Sequence, residues 1–192
     1  MLLPIAVLLA SFLWGFAEAT AFFLVPDLVI GFAAIVMPAA WARSAYEALL
    51  GAVGGGALAY WLGEHREAGY LRFVTRLPGH PPAFVEKIRD GFRSRGAAAL
   101  LVGGFAGRPF KVYALEAGAS RRNAYRFLAL GALARGARFF LTAYLASRAA
   151  LLLEDHRIAA VSFFVLALVA SLLYLSAIER RYRRRRGNAD RL

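Results

Sequence analysis

The sequence predicts an all-α polytopic membrane fold, with two opposed re-entrant helical hairpins and about three transmembrane helices related as an inverted repeat. Three observations point to it. Apolar residues make up 60% of the 192, and the mean hydropathy of +0.53 is far above that of a soluble domain. Several apolar runs approach the ~20 residues a helix needs to cross a bilayer. Two of those runs are interrupted near a proline and hold ionisable side chains at the interruption.

The first such run covers residues 2–40, which are apolar apart from Glu18 and Asp27. It is too long for one span and has no loop for two. Pro4, Pro26 and Pro38 punctuate it, and a mid-run proline removes a backbone donor and breaks the helix. In lipid, broken backbone survives only inside protein or beside a water-filled cavity. A re-entrant hairpin turning near "LVPD" satisfies that requirement. A cleaved signal peptide is the weaker reading. Ala17-Glu18-Ala19 resembles a cleavage site, but the start "MLLPIAVLLA" has no basic region and the chain stays apolar well past Ala19.

Residues 45–63, "AYEALLGAVGGGALAYWLG", predict a span whose Gly51, Gly54, Gly55 and Gly56 let another helix approach closely. Residues 64–95 are polar and mixed in charge. "RLPGHPP" signals a turn, and Phe84, Val85, Ile88 and Phe92 recur at helical spacing, as in an amphipathic helix at the membrane surface or a solvated connection. Residues 96–118 form the second interrupted run, broken at Gly107-Arg108-Pro109 and carrying Arg108, Lys111 and Glu116. Residues 124–147 predict a span with Arg135 and Arg138 inside it; three apart, they share one face. Residues 158–178 form an uncharged span, followed by the basic tail 179–192.

Arginine and lysine counting orients these segments. The tail, the 64–95 connection and Arg121-Arg122 are basic, whereas 41–46 has only Arg43 and 148–157 balances Arg148 and Arg157 against Glu154 and Asp155. The basic regions share the cytoplasmic side if 45–63, 124–147 and 158–178 cross and the two interrupted runs dip from opposite faces. The chain then reads as one membrane domain, 1–180, made of a hairpin plus span (1–63), a cytoplasmic amphipathic connection (64–95), a second hairpin plus span (96–147) and a last span (158–178), with 179–192 as a basic cytoplasmic tail. Hairpin plus span, repeated with opposite orientation, is an organisation that transporters use.

A charged residue at the centre of a membrane helix costs about 2.5–3.5 kcal/mol on insertion scales. Glu18, Asp27, Arg108, Lys111, Arg135 and Arg138 are therefore expected to turn inward and meet. Pairing offsets part of the desolvation penalty. A buried carboxyl can also take up a proton near neutral pH, which makes Glu18 and Asp27 candidate proton-coupling residues. Arg108, Lys111, Arg135 and Arg138 are candidate substrate-binding residues, because guanidinium groups grip phosphate with parallel hydrogen bonds. Charges that only hold the hairpins together are the competing reading; the surplus of bases over acids argues for an anion.

These residues resemble the DedA family of bacterial membrane proteins, also called the VTT or SNARE-associated superfamily. The likeness lies in Glu18 followed by Pro26-Asp27, and in "GGFAGRPFKVYALEAGAS" followed by "YRFLALGALARGARFFLTAYLAS". Members usually show two arginines around a proline before an Ala-Gly pair. Here Arg108, Pro109 and Lys111 precede Ala117-Gly118, with tighter spacing and lysine as the second base, so the chain is similar to a divergent branch. The resemblance covers roughly residues 10–147. It implies a lipid flippase or scramblase in the bacterial plasma (inner) membrane, moving a phospholipid or a polyprenyl phosphate between leaflets, with protons as partners in some members.

Other classes are less well supported. Cysteine is absent, so disulfides and thiolate chemistry are excluded. His65, His80 and His156 lie far apart without ligand spacing, so neither a metal nor a cofactor is expected. Ser120 and Ser176 have no nearby histidine, which argues against an enzyme. Nucleic-acid binding is not needed to explain a juxtamembrane arginine run. An ion or proton channel and a structural membrane adaptor remain the alternatives, and self-association with a second copy stays open.

Overall fold

Both interrupted runs fold as two short helices joined by a sharp turn. The computed structural model describes residues 2–152 and 156–189, and among them the regular structure is entirely helical. Glu154 and Asp155 of the expected outer loop, and the tail end from Asp190 to Leu192, lie outside the described residues. Helix α1 runs over Leu2–Thr20 and α2 over Asp27–Val36. Pro26 closes the break between them, and Asp27 opens α2, where a carboxylate suits the positive end of the helix dipole. The open carbonyls at the end of α1 find partners: the Tyr70 hydroxyl donates to Thr20 O at 2.7 Å, and Ala21 N and Phe22 N both donate to Ala17 O.

After a single 3-10 turn at Pro38–Ala40, α3 spans Trp41–Val74, with a kink at Arg66 (φ −138°, ψ 32°). The helix thus continues well past the expected end of the 45–63 span, because Tyr70 and Val74 carry a buried face onward. The glycines of α3 serve packing. A Cβ on Gly51 would lie 2.0 Å from the Phe12 carbonyl oxygen of α1, and one on Gly55 would lie 2.5 Å from that of Phe16. Farther along, Gly63 meets the Leu115 backbone at 2.2 Å in the same sense. Only glycine allows helices this close.

Helix α4 (Pro82–Arg95) begins with proline at its first position, where a missing N–H costs nothing, and ends at Gly96, whose φ of +52° favours glycine. Its Val85, Ile88 and Phe92 are buried against the protein, so the amphipathic helix turns its apolar face inward. Helices α5 (Ala97–Phe105) and α6 (Phe110–Ala119) flank the expected break, where Gly107 has φ +67° and Pro109 precedes α6. Helix α7 (Ala124–Ala150) starts at Asn123, whose side chain accepts a hydrogen bond from Arg126 N at 2.9 Å. Helix α8 covers His156–Ala189.

Among the described residues two helices are long and apolar enough to cross a membrane: α7, and α8 over Ala160–Tyr182. Helix α3 is not among them; its glycines and Glu47 dilute the 45–63 run. Large apolar side chains on α1, α7 and α8 stay exposed, including Ile5, Leu9, Leu133, Leu141, Leu166 and Leu173. Surfaces of this size and character normally have a covering medium. The packing has an alternating pattern. Helix α3 packs on α1 and on α6, while α7 packs on α5 and on α2. Each long helix therefore supports the first short helix of its own half and the second short helix of the other.

Candidate functional site

That alternation carries the two breaks to one place. The last turn of α1 brings in Glu18, the first turn of α2 brings Asp27, the first turn of α6 brings Lys111, and the middle of α7 brings Arg135 and Arg138. Arg135 Nη2 is hydrogen-bonded to Glu18 Oε2, and Lys111 Nζ stands 3.8 Å from Glu18 Oε1. Arg138 Nη2 lies 3.0 Å from Asp27 Oδ2, and the Thr142 hydroxyl donates to Asp27 Oδ1 at 3.0 Å. Arg138 and Thr142 are one turn apart, so both reach the same carboxylate. Glu18, Lys111 and Arg135 are 5%, 1% and 3% exposed.

Rings support the cations where acids do not. The Arg135 guanidinium lies 4.9 Å from the Phe110 ring and 5.1 Å from that of Phe139, and Arg138 lies 5.5 Å from Phe139. Desolvated cation–π contacts contribute roughly 2 kcal/mol. Phe110 is placed by Pro109 at the start of α6, so the same break that delivers Lys111 also delivers the ring under Arg135. Donors nevertheless exceed acceptors. Arg135 Nε and Arg138 Nε are buried with no hydrogen-bond partner among the described residues. Lys111 at 3.8 Å is beyond hydrogen-bonding distance of Glu18. Each carboxylate holds one arginine, while three basic groups keep unused capacity.

A cavity of about 50 Å³ opens on this cluster, with Glu18, Lys111, His80, Pro109, Ser171 and Tyr174 in its wall. Seven elements converge there: α1, the two breaks, the loop before α4, α4 itself, α6 and α8. Arg108, the remaining base expected at the site, lines a separate pocket of about 280 Å³ with Lys87, Arg181 and Tyr182, and has no ion pair with Glu18 or Asp27 among the described residues.

Two features escaped the sequence reading. Glu116, 2% exposed, receives Arg89 Nε at 2.6 Å, Arg93 Nε at 2.8 Å, Arg93 Nη2 at 3.0 Å and the Ser120 hydroxyl at 2.7 Å. Arg89 also pairs with Glu67 of α3, and Arg93 with Glu86 and Asp90. The hydrogen bonds to Glu116 raise the Arg93 pKa above its ordinary value. This cluster fastens α4 to α3 and α6. The second is His80, 3% exposed and in the cavity wall. Arg89 carried a legible signal, since it sits among Val85, Ile88 and Phe92 on the apolar face of α4. His80 carried none in a turn-rich segment. Among the described residues, no group of His, Asp or Glu could hold a metal ion.

No family model matches the chain, and no curated protein and no solved structure shows significant similarity to it.

Proposed function

We propose that this chain is a membrane transporter that moves a phosphate-bearing lipid, a phospholipid or a polyprenyl phosphate, between leaflets, with proton exchange at Glu18 and Asp27. The observation that carries this reading is the imbalance in the buried cluster. Each carboxylate already holds one arginine, whereas Arg135 Nε, Arg138 Nε and the Lys111 ammonium have donors to spare. A phosphate supplies several acceptor oxygens and matches guanidinium geometry.

In this reading α1–α2 and α5–α6 are the re-entrant hairpins, α3, α7 and α8 cross the bilayer, and the tail is cytoplasmic. The repeated order of two short helices and a long one, together with their alternating packing, supports an inverted repeat. The resemblance to the DedA family points the same way, as does a bacterial plasma membrane setting. The cavity of about 50 Å³ is far below the 300–1,000 Å³ usual for bound small molecules, so in this reading the site widens to admit a headgroup. Protonation of Glu18 removes the charge that holds Arg135 and Lys111, and frees both for a phosphate. Deprotonation restores the internal pair and expels it. Arg108, with Lys87 and Arg181, would receive the headgroup at the outer pocket.

The test is lipid transfer by purified protein in liposomes. A fluorescent phospholipid and a fluorescent polyprenyl phosphate are followed with a membrane-impermeant quencher. Wild type is expected to accelerate at least one of them over protein-free vesicles, and Glu18→Gln and Arg135→Gln to lower that rate at least tenfold while the protein stays folded. Ionic current in a planar bilayer without lipid transfer would favour a channel instead.

A further inference from the structure

His80 sits in the loop between α3 and α4, and its ring is all but sealed from solvent. Its Nδ1 lies 2.8 Å from the Pro78 carbonyl oxygen. A carbonyl only accepts, so Nδ1 carries the hydrogen. In the neutral ring Nε2 is then a bare lone pair. That atom is buried and has no hydrogen-bond partner among the described residues. An acceptor left unfilled in this way is costly, and the His80 ring borders the cavity whose wall also holds Glu18 and Lys111.

We propose that His80 is the proton relay of the chamber: its Nε2 accepts the proton that the Glu18 carboxylic acid releases, directly or through one water, and then yields a proton to solvent beside the loop. The proposal rests on reading Glu18 as a proton carrier. In the step the Glu18 O–H bond breaks and an Nε2–H bond forms, leaving carboxylate and imidazolium. The imidazolium then loses one proton to water and returns to the neutral ring. Uptake runs in reverse. No other reactant is needed.

The surroundings fit a conduit rather than a store. Burial first, and then the Lys111 charge, push the His80 pKa down to about 4. The ring therefore holds a proton only in passing near neutral pH. The charged or titratable groups facing it are Glu18 from α1, Lys111 from α6, and Tyr174 and Glu179 from α8; the two breaks and α4 contribute Phe23, Val25, Pro109 and Phe84, all uncharged. The exit is short. Glu179 Oε1 accepts from Gly79 N at 3.0 Å, and Glu179 and Pro78 line a further pocket of about 270 Å³ on the loop. The loop's position is fixed by close packing: a Cβ on Gly79, whose φ is +74°, would lie 2.2 Å from Leu175 Cδ2.

The experiment follows the Glu18 carboxyl by time-resolved infrared spectroscopy after a pH jump, on the full chain in liposomes. The band is assigned by its loss in Glu18→Gln. His80→Gln and His80→Phe are compared with wild type, and the two replacements guard against one of them misfolding. Both are expected to slow the appearance and decay of the carboxyl band at least tenfold. Rates within twofold of wild type in a folded variant would overturn the relay, as would a Glu18 that never protonates in folded wild type. Lipid transfer is measured in the same vesicles. Wild type that transfers no lipid but shows the His80-dependent rate would sink the transport reading and leave the relay standing.

Discussion

Two ionic clusters stand out among the described residues, and they are built on opposite plans. The inner cluster sets three bases, Lys111, Arg135 and Arg138, against two acids, Glu18 and Asp27. The outer cluster sets two bases, Arg89 and Arg93, against four acids, Glu67, Glu86, Asp90 and Glu116. At its centre Glu116 accepts four hydrogen bonds. The inner cluster leaves two guanidinium N–H groups unfilled, rests its arginines on phenylalanine rings and borders a cavity. A closed, acid-rich knot is suited to holding helices in place. An open, base-rich knot with unused donors is suited to an exchangeable anion. Each holds one buried acid–arginine pair, Glu18 with Arg135 and Glu116 with Arg89, so satisfaction of the hydrogen bonds is the property that separates them.

The comparison is sharpened first by removing the central carboxylate from each cluster. Glu116→Gln leaves Arg89 buried beside an amide, and arginine cannot shed its charge. Breaking a buried pair in this way costs about 3–5 kcal/mol. Thermal unfolding in detergent should show the full loss, with α4 released and proteolysis within 82–95. Glu18→Gln should cost less, about 1–3 kcal/mol, because Lys111 can lose its proton and Arg135 keeps two ring contacts. Equal destabilisation by the two changes would erase the distinction.

Smaller effects test the edges. Thr142→Val removes one of the two bonds to Asp27 and should cost roughly 1 kcal/mol, with a larger fall in lipid transfer than in stability. Asp90→Asn removes an exposed partner of Arg93 and should cost under about 1 kcal/mol, as surface pairs do. It should leave lipid transfer unchanged. If Asp90→Asn impaired transfer as strongly as Thr142→Val, the outer cluster would belong to the functional machinery.

Much of the inner site was legible in the sequence because lipid-like surroundings make ionisable residues conspicuous. Glu18, Asp27, Lys111, Arg135 and Arg138 stand out in apolar runs, and Pro26 and Gly107-Arg108-Pro109 mark the breaks that gather them. Their pairing was not legible. Glu18 and Arg135 are 117 positions apart, and only the alternating packing of α3 and α7 decides which base meets which acid. Arg108 shows the limit of reading by position: three residues from Lys111, it faces a different pocket, because the turn at Gly107 and Pro109 aims the two side chains apart. The outer cluster was hidden because Arg89 and Arg93 sit in a segment full of charges, where burial of one arginine leaves no compositional trace. The length of α3 is hidden for a related reason: Glu64, His65 and Arg66 look like a boundary, yet the helix passes through them and buries Tyr70 and Val74 beyond.

In the proposed transport cycle, unfilled donors of the inner cluster bind the phosphate of a moving lipid. The most direct measurement is the transfer rate of a fluorescent phosphate-bearing lipid by liposomes carrying wild type, Lys111→Gln, Arg135→Gln or Arg138→Gln, each verified as folded. At least a tenfold loss is expected in all three variants. Folded variants that transfer lipid at the wild-type rate would contradict it.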